Sequence, residues 1–382
     1  NPKKDNGYLE YDYLCATSLT YFFLDILIKK TNSKLRIRKY LIYVLLATVC
    51  DVMPLRKLNK LISIKALNEF NSNDNLVFKE IYKLNNKKNK INLNDLGYFI
   101  GPILNAGGRL RKSNYATELL SSNNQKIINK RSVELMNLNN KRKKIETLIL
   151  SNIDFKKIDE ENRDIIIYYN SNINEGLIGI IAARLKDHFN KPCIVITNST
   201  DFLKSSARST YNYNIGRAIK RALDKDLILN GGGHHMAGGF TLNKDNLENF
   251  SKFIKQDFLK NNLNSDLTDK YDAEISSAAF KKDFFDDIKK IGPFGTGNPL
   301  PTFLFKDLKV LKSKVLDKKH IFCILKSKIG LSINSISFNS VDTEIGFYLQ
   351  NFKKKFNVVG QINENFWNNK KTLQLIIKDL IL

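Results

Sequence analysis

Cysteine is scarce and scattered. The 382 residues contain four, Cys15, Cys50, Cys193 and Cys323, and none shares a CxxC spacing. That excludes a disulfide framework and a zinc knuckle, and points to a reducing, cytoplasmic compartment. No apolar run approaches 18 residues, and the start Asn1-Pro2-Lys3-Lys4 carries no apolar signal segment, so neither a membrane partner nor secretion is expected. The chain also begins without Met, so its true N-terminus is expected upstream. Acidic residues are outnumbered: Asp+Glu 38 stand against Lys+Arg 62, a formal net charge of +24. That balance fits a polyanionic partner such as nucleic acid. Joint enrichment in Lys, Asn and Ile is what an AT-rich genome imposes, so part of the charge is compositional. Arginine is sparse, with twelve residues and none after Arg221. The ones that remain are candidates for positions that need a planar, bidentate guanidinium.

What is there is globular. With 42% hydrophobic and 26% charged residues, the chain is long enough for two or three domains. Residues 10 to 70 read as helices, with Leu19, Phe22, Phe23, Ile26 and Leu27 at helical spacing and an apolar run from Leu41 to Cys50 ending on Asp51. Ile91 to Leu110 is dense in glycine and reads as a loop whose backbone approaches something closely. Residues 116 to 150 read as a basic, solvated connecting helix. An α/β pattern follows: a strand at Ile165 to Tyr169, a Gly176–Gly179 turn, a helix to Phe189, a strand at Cys193 to Thr197, a strand through Ser205–Ser209, and a helix from Ile215 to Leu223. After the glycine-histidine loop come a short strand and a long helix to about Asn261. Beyond about Leu267, six short β-type runs lie between Thr302 and Ile377, with a hairpin around Trp367-Asn368-Asn369-Lys370. They fit a small β-barrel, an OB-fold by economy, although the pattern equally allows an SH3-like barrel.

Four segments could carry chemistry. In Gly231-Gly232-Gly233-His234-His235-Met236-Ala237-Gly238-Gly239, backbone N–H groups can converge on an anion beside a His donor. In Ser205-Ser206-Ala207-Arg208-Ser209, strand alternation puts Ser206 and Arg208 on one face as a phosphate clamp. Asn105-Ala106-Gly107-Gly108-Arg109 offers a close backbone approach and a guanidinium. Asp51, ending an apolar run, is a hard ligand suited to Mg²⁺ or Mn²⁺, or else simply a helix end.

In this order the segments resemble the RecJ family of single-strand-specific 5′ to 3′ DNA exonucleases in the DHH/DHHA1 phosphoesterase superfamily. Thr48–Leu55 is similar to the family's fourth motif, and Leu104–Arg109 to its Leu-Asn-Ala-Ala-Gly-Arg segment. Glu175–Leu185 resembles the opening of the DHHA1 domain, Ser206–Ser209 its substrate strand, and the glycine-histidine loop its hallmark, with Gly238 where Ala is usual. Pro293–Pro299 resembles the segment leading into the C-terminal OB-fold.

The resemblance implies an α/β protein. Residues 1–115 would be the C-terminal part of a DHH domain, 116–152 a connecting helix, 153–263 a DHHA1 domain, and 264–382 a linker and OB-fold. It implies hydrolysis of phosphodiester bonds in single-stranded DNA by two divalent ions, Mn²⁺ or Mg²⁺, in DNA repair and recombination. Asp51 would be a metal ligand, and Asp51 and His234 catalytic. Asn105, Arg109, Arg184, Ser206, Arg208, Gly232, Gly233 and His234 would hold phosphates near the 5′ end. A cytoplasmic monomer aided by a single-stranded-DNA-binding protein or a RecQ-type helicase is implied. One departure matters: the family's first three motifs, including Asp-His-His, are missing, and Asn1-Pro2-Lys3 resembles the segment downstream of them. The reading is therefore an N-terminally incomplete exonuclease whose chain lacks most metal ligands. A catalytically inactive single-stranded-DNA-binding protein is the alternative, ahead of a phosphodiesterase acting on short oligonucleotides or cyclic dinucleotides.

Overall fold

The computed structural model describes residues 9–88, 90–161, 163–262, 271–328, 332–351, 354–367 and 370–382. Those residues fall into two compact units, one within Asn1–Phe70, Ile91–Gly97 and Leu267–Leu382, the other within Asn71–Lys90 and Tyr98–Asp266. Residues 1–115 thus contribute to both. Asn1-Pro2-Lys3 lies outside the described residues. No described helix is long and apolar enough to cross a membrane.

The first unit opens with α1 (Ala16–Lys30), α2 (Leu41–Cys50) and α3 (Lys57–Glu69). Helix α2 is the apolar run, and Leu41, Ile42, Val44, Leu45 and Leu46 are buried. The stripe on α1 behaves differently. Phe23 and Ile26 are 64% and 56% exposed, and Ser18 is the one buried residue of that helix. Its helical spacing does not correspond to a buried face among the described residues. Helix α4 (Leu76–Leu84) belongs to the second unit.

The remainder of the first unit is a barrel preceded by α12 (Lys282–Lys290) and containing α13 (Glu344–Asn351). Strands β7 (Phe303–Leu316), β8 (His320–Lys326), β9 (Ser332–Ser337), β11 (Lys370–Ile381) and β10 (Phe356–Trp367) follow one another in the sheet, and β10 pairs back onto β7, closing five strands. The short strand β6 (Ala273–Glu274) adds to β7. Phe305, Leu308, Ile321, Cys323, Leu325, Val358 and Leu375 fill the interior, one face of each alternating strand. This is the OB-type barrel. The expected runs Thr302–Phe305 and Leu308–Lys314 merge into the single strand β7, with Asp307 between them at a φ of 55°. At the expected hairpin, Trp367 pairs with Lys370, while Asn368 and Asn369 lie outside the described residues.

Two sequence segments meet within this unit. The backbone N–H of Leu55 donates to the carbonyl of Thr296 at 2.6 Å. Gly297 has a φ of +72°, and a Cβ there would stand 2.6 Å from Pro54. The turn after Asp51 is therefore seated on the Gly295–Gly297 loop, where only glycine combines that backbone with that closeness.

The second unit carries α5 (Gly101–Arg109), α6 (Asn114–Ser121), α7 (Gln125–Ser151), α8 (Phe155–Glu160), α9 (Glu175–Phe189), α10 (Ile215–Leu223) and α11 (Leu247–Asn261). Its sheet has the order β1-β2-β3-β5-β4, from β1 (Ile166–Tyr169), β2 (Cys193–Asn198), β3 (Leu203–Arg208), β4 (Asn230–His234) and β5 (Ala237–Leu242). β1 and β2 are parallel, joined through α9, and the other pairings are antiparallel. Strand β2 is buried on both faces: Cys193 and Val195 pack under α9, and Ile194 and Ile196 pack against α10 and α11. This is why it reads as an unbroken apolar run.

Four expectations need correction. Residues 91–110 are mostly helical, a π-helical turn at Asp95–Ile100 running into α5; Gly107 serves packing, since a Cβ there would lie 2.5 Å from the Lys112 carbonyl oxygen, whereas one on Gly108 would meet nothing within 4 Å. Gly176–Gly179 is the first turn of α9 rather than a turn before it, because Asn174 caps the helix by accepting from the Gly176 N–H at 2.9 Å. The glycine-histidine loop is a β-hairpin, β4 and β5 with His235-Met236 between them. The connecting helix α7 begins at Gln125, capped by Asn124, and buries Ile128, Ser132, Leu135, Asn139 and Glu146, so one of its faces is interior.

Candidate functional site

Strand β3 alternates inward and outward. Leu203 and Ala207 belong to the core under α10, and the half-buried Lys204, Ser206 and Arg208 occupy the other face. Cross-strand register extends that face. Arg208 pairs with Ala237 and Ala237 with His234; Ser206 pairs with Gly239 and Gly239 with Gly232; Lys204 pairs with Thr241 and Thr241 with Asn230. Directly opposed residues share a face. The sheet thus presents three rows, one headed by Arg208, one by Ser206 and one by Lys204. A Cβ on Gly232 would meet nothing within 4 Å, so the middle row is open at its β4 end, while one on Gly239 would stand 3.2 Å from the Ser205 carbonyl oxygen. Gly233 faces the opposite way, against the first turn of α10, where a Cβ on Gly216 would stand 2.8 Å from the Gly233 carbonyl carbon.

Beside β3 lies a cleft of about 410 Å³ lined by Gly108, Arg109, Lys204, Ser206 and Arg208, and by Glu175, Gly176 and Gly179 of α9. Glycine is required along this wall of α9. A Cβ on Gly176 would collide with the Arg109 carbonyl oxygen, and one on Gly179 would stand 3.0 Å from Ser206 Oγ and 3.1 Å from Arg208 Nη2. Arg109 Nη1 donates to the Gly176 carbonyl at 3.0 Å, and Arg208 Nη1 donates to Ser206 Oγ at 3.1 Å and to the Ala207 carbonyl at 2.8 Å. All these acceptors are neutral. Burial lowers the pKa of Arg208, and the positive charge of Arg109 lowers it further. Burial also lowers that of Arg109, with Arg142 adding to the effect and Glu146 opposing it. Two desolvated guanidiniums, a hydroxyl and the N-terminal end of a helix around one opening make a receptor for an anion with several oxygens.

Other expected residues sit elsewhere. Arg184 Nε donates to Glu146 Oε1 at 2.8 Å, and Arg142 Nη1 donates to Glu146 Oε2 at 2.9 Å; Arg184 is outside the cleft lining. Asn105 is exposed on α5 and also outside it. His234 ends the Arg208 row, exposed, and its Nδ1 accepts from the Met236 N–H at 3.3 Å, so the neutral ring carries its proton on Nε2. His235 is structural, its Nε2 donating to the Tyr211 carbonyl at 2.6 Å. Asp51 is exposed at the end of α2 and belongs to the other unit. Among the described residues, no three His, Cys, Asp or Glu side chains gather as a metal site. The described residues alone therefore do not supply the ligands of a two-metal centre. Lys204 and Glu175 escaped the sequence reading, although Lys204 stands in the same alternation as Ser206 and Arg208.

Sequence comparison assigns residues 162–260 to the DHHA1 domain and residues 271–379 to the RecJ OB domain. The chain thus carries a DHHA1 domain and a RecJ OB domain, and over most of its length it resembles RecJ proteins. It is 25% identical over 350 residues to the single-stranded-DNA-specific exonuclease RecJ of Bacillus subtilis, covering 87% of this chain and 43% of that protein. With the RecJ of Haemophilus influenzae it shares 27% identity over 355 residues, 87% of this chain and 60% of that protein. The fold matches RecJ of Thermus thermophilus, solved with Mn²⁺, at a TM-score of 0.75 and 20% identity, over 90% of this chain and 49% of that one. A Mg²⁺ complex of the same RecJ gives 0.73. This chain spans about half the length of the RecJ proteins it matches. The DHHA1 match contains β3, α9 and the β4–β5 hairpin, so the cleft falls largely within it.

Proposed function

We propose that this chain is the substrate-holding part of a RecJ-type single-strand-specific 5′ to 3′ exonuclease, and that its cleft receives the phosphate at the 5′ end of single-stranded DNA. The observation that carries this reading is the pairing of Arg109 and Arg208 around one opening with neutral partners only. Arg109 and Arg208 would bind phosphate oxygens, the Ser206 hydroxyl would donate to a third, and His234 Nε2 would approach from the end of the same row. The OB barrel would track the strand by phosphate and stacking contacts that tolerate any base. Asp51 would be one ligand of the divalent ions that the resemblance implies, whose contribution would be an activated water; the other ligands would come from residues outside this chain's described set.

A second reading is a catalytically silent single-stranded-DNA binder, favoured by the lack of a carboxylate and imidazole cluster among the described residues. Incubating the purified chain with a 5′-phosphorylated single strand and Mn²⁺ tests the silent-binder reading. Release of mononucleotides supports the enzyme and excludes the silent binder. For the cleft itself, anisotropy titrations in chelator should show tighter binding of a 5′-phosphorylated than of a 5′-hydroxyl strand. Equal affinities would exclude the terminal-phosphate reading.

A further inference from the structure

We infer that Lys204 forms a second anion subsite, for the internucleotide phosphate that follows the one held by Arg109, Ser206 and Arg208. The inference rests on the phosphate reading of the cleft and extends it from a single group to a stretch of backbone. Lys204 lines the same cleft and shares the outward face of β3 with Ser206 and Arg208. Its Nζ donates to Thr241 Oγ1 at 2.9 Å, across the β3–β5 pair. That partner is neutral, and the ammonium has two further N–H donors. No carboxylate among the described residues forms an ion pair with it.

Spacing gives the subsite its place. Successive rows on this face are about 6.8 Å apart, so Lys204 stands one such step beyond Ser206 and two, about 13.6 Å, beyond Arg208. Arg208 and Lys204 stand at the outer rows with Ser206 between them. The middle row is the one whose β5 and β4 positions are Gly239 and Gly232. A first phosphate seated between the Arg208 and Ser206 rows therefore leaves Lys204 about one row further along β3 for the next. A planar, bidentate guanidinium suits a terminal phosphate with three free oxygens, and a point-charge ammonium suits a diester with two. The arrangement selects a nucleic-acid chain over an isolated phosphate, without contacts to base edges.

The test compares thymidine 5′-monophosphate with 5′-phosphorylated thymidine dinucleotide, titrated calorimetrically into the whole chain in chelator. Wild type should bind the dinucleotide more tightly. Lys204→Met, which keeps the aliphatic stem, should cost the dinucleotide about tenfold and leave the mononucleotide unchanged, and it should lower the salt slope for the dinucleotide by about one. Lys204→Arg should recover most of the loss. Arg208→Ala should weaken both ligands. Equal effects of Lys204→Met on the two ligands, or none on either, would overturn the second subsite while the Arg208 result still supports the first. Insensitivity of both ligands to Arg208→Ala would instead overturn the underlying phosphate reading. Circular dichroism of each variant confirms the fold, and a misfolded Lys204→Met is replaced by Lys204→Gln.

Discussion

Arg109 and Arg208 face one cleft from different elements, the end of α5 and the end of β3, and among the described residues neither guanidinium is bonded to a carboxylate. The contrast with Arg184 and Arg142, which share Glu146, shows that this region neutralises its arginines selectively.

Removing either unneutralised guanidinium is expected to weaken binding of a 5′-phosphorylated single strand by about 1 to 3 kcal/mol, the range of a charge-assisted phosphate bond. Arg109→Ala and Arg208→Ala, titrated by anisotropy at one fixed salt concentration, check this. Arg184→Ala should cost less than either, since its charge is already met by Glu146. An Arg184 effect equal to that of Arg208 contradicts the assignment.

Gly176 and Gly232 should respond oppositely to the same added methyl group. Gly176→Ala drives Cβ into the Arg109 carbonyl oxygen and is expected to cost about 1 to 3 kcal/mol of stability, as overpacking does. Gly232→Ala meets open space and should leave stability nearly unchanged. Urea denaturation of the two variants decides it, and equal losses would refute the packing account.

Glu175 places the one carboxylate in the cleft lining, at the first turn of α9. Glu175→Gln should therefore tighten phosphate binding, by up to ~1 kcal/mol as for a solvent-screened pair. The same change gives up a favourable charge at a helix N-terminus, costing about 0.3 to 1 kcal/mol of stability. Calorimetry with inorganic phosphate and thermal melts should move in these opposite directions, and both effects should shrink at high salt.

Alkaline pH should erode the fold through its buried thiols. Burial pushes Cys193 and Cys323 up to about 12, and Cys50 to about 11, while an unfolded cysteine titrates at about 8.5. Below that value both states are protonated and nothing is lost. As pH rises past it, the unfolded chain ionises first, so stability falls between about pH 8.5 and 12. Urea unfolding at pH 7, 9 and 10 checks the sign. Cys323→Ala, less stable at every pH, should show a shallower decline.

Where the sequence was legible depended on what each pattern encodes. Strand alternation in Ser206-Ala207-Arg208 is a local property, and it placed the hydroxyl and guanidinium on one face correctly. The glycines misled because a glycine does not record where, or whether, space is short. At 107 and 176 it is short inside or at the start of a helix, and at 233 it is short against α10; all three look alike in a row of letters. Arg184 misled for a related reason: its partner Glu146 lies 38 positions away on another helix, and no local spacing announces that pair. Lys204 was hidden in a chain where lysine is common, and only register against Thr241 sets it apart. The α1 stripe shows the limit of periodicity, which reports that a helix has an apolar side and not what, if anything, covers it.

Beside Ser206 the neighbouring strands offer Gly239 and Gly232, so the ground next to the cleft is without pegs. A polymer gripped there by its charged backbone would meet no side chain at Gly239 or Gly232. Resistance to sliding would then be electrical rather than steric, set by the depth of the wells at the cations, and added salt would loosen the grip and smooth the path together.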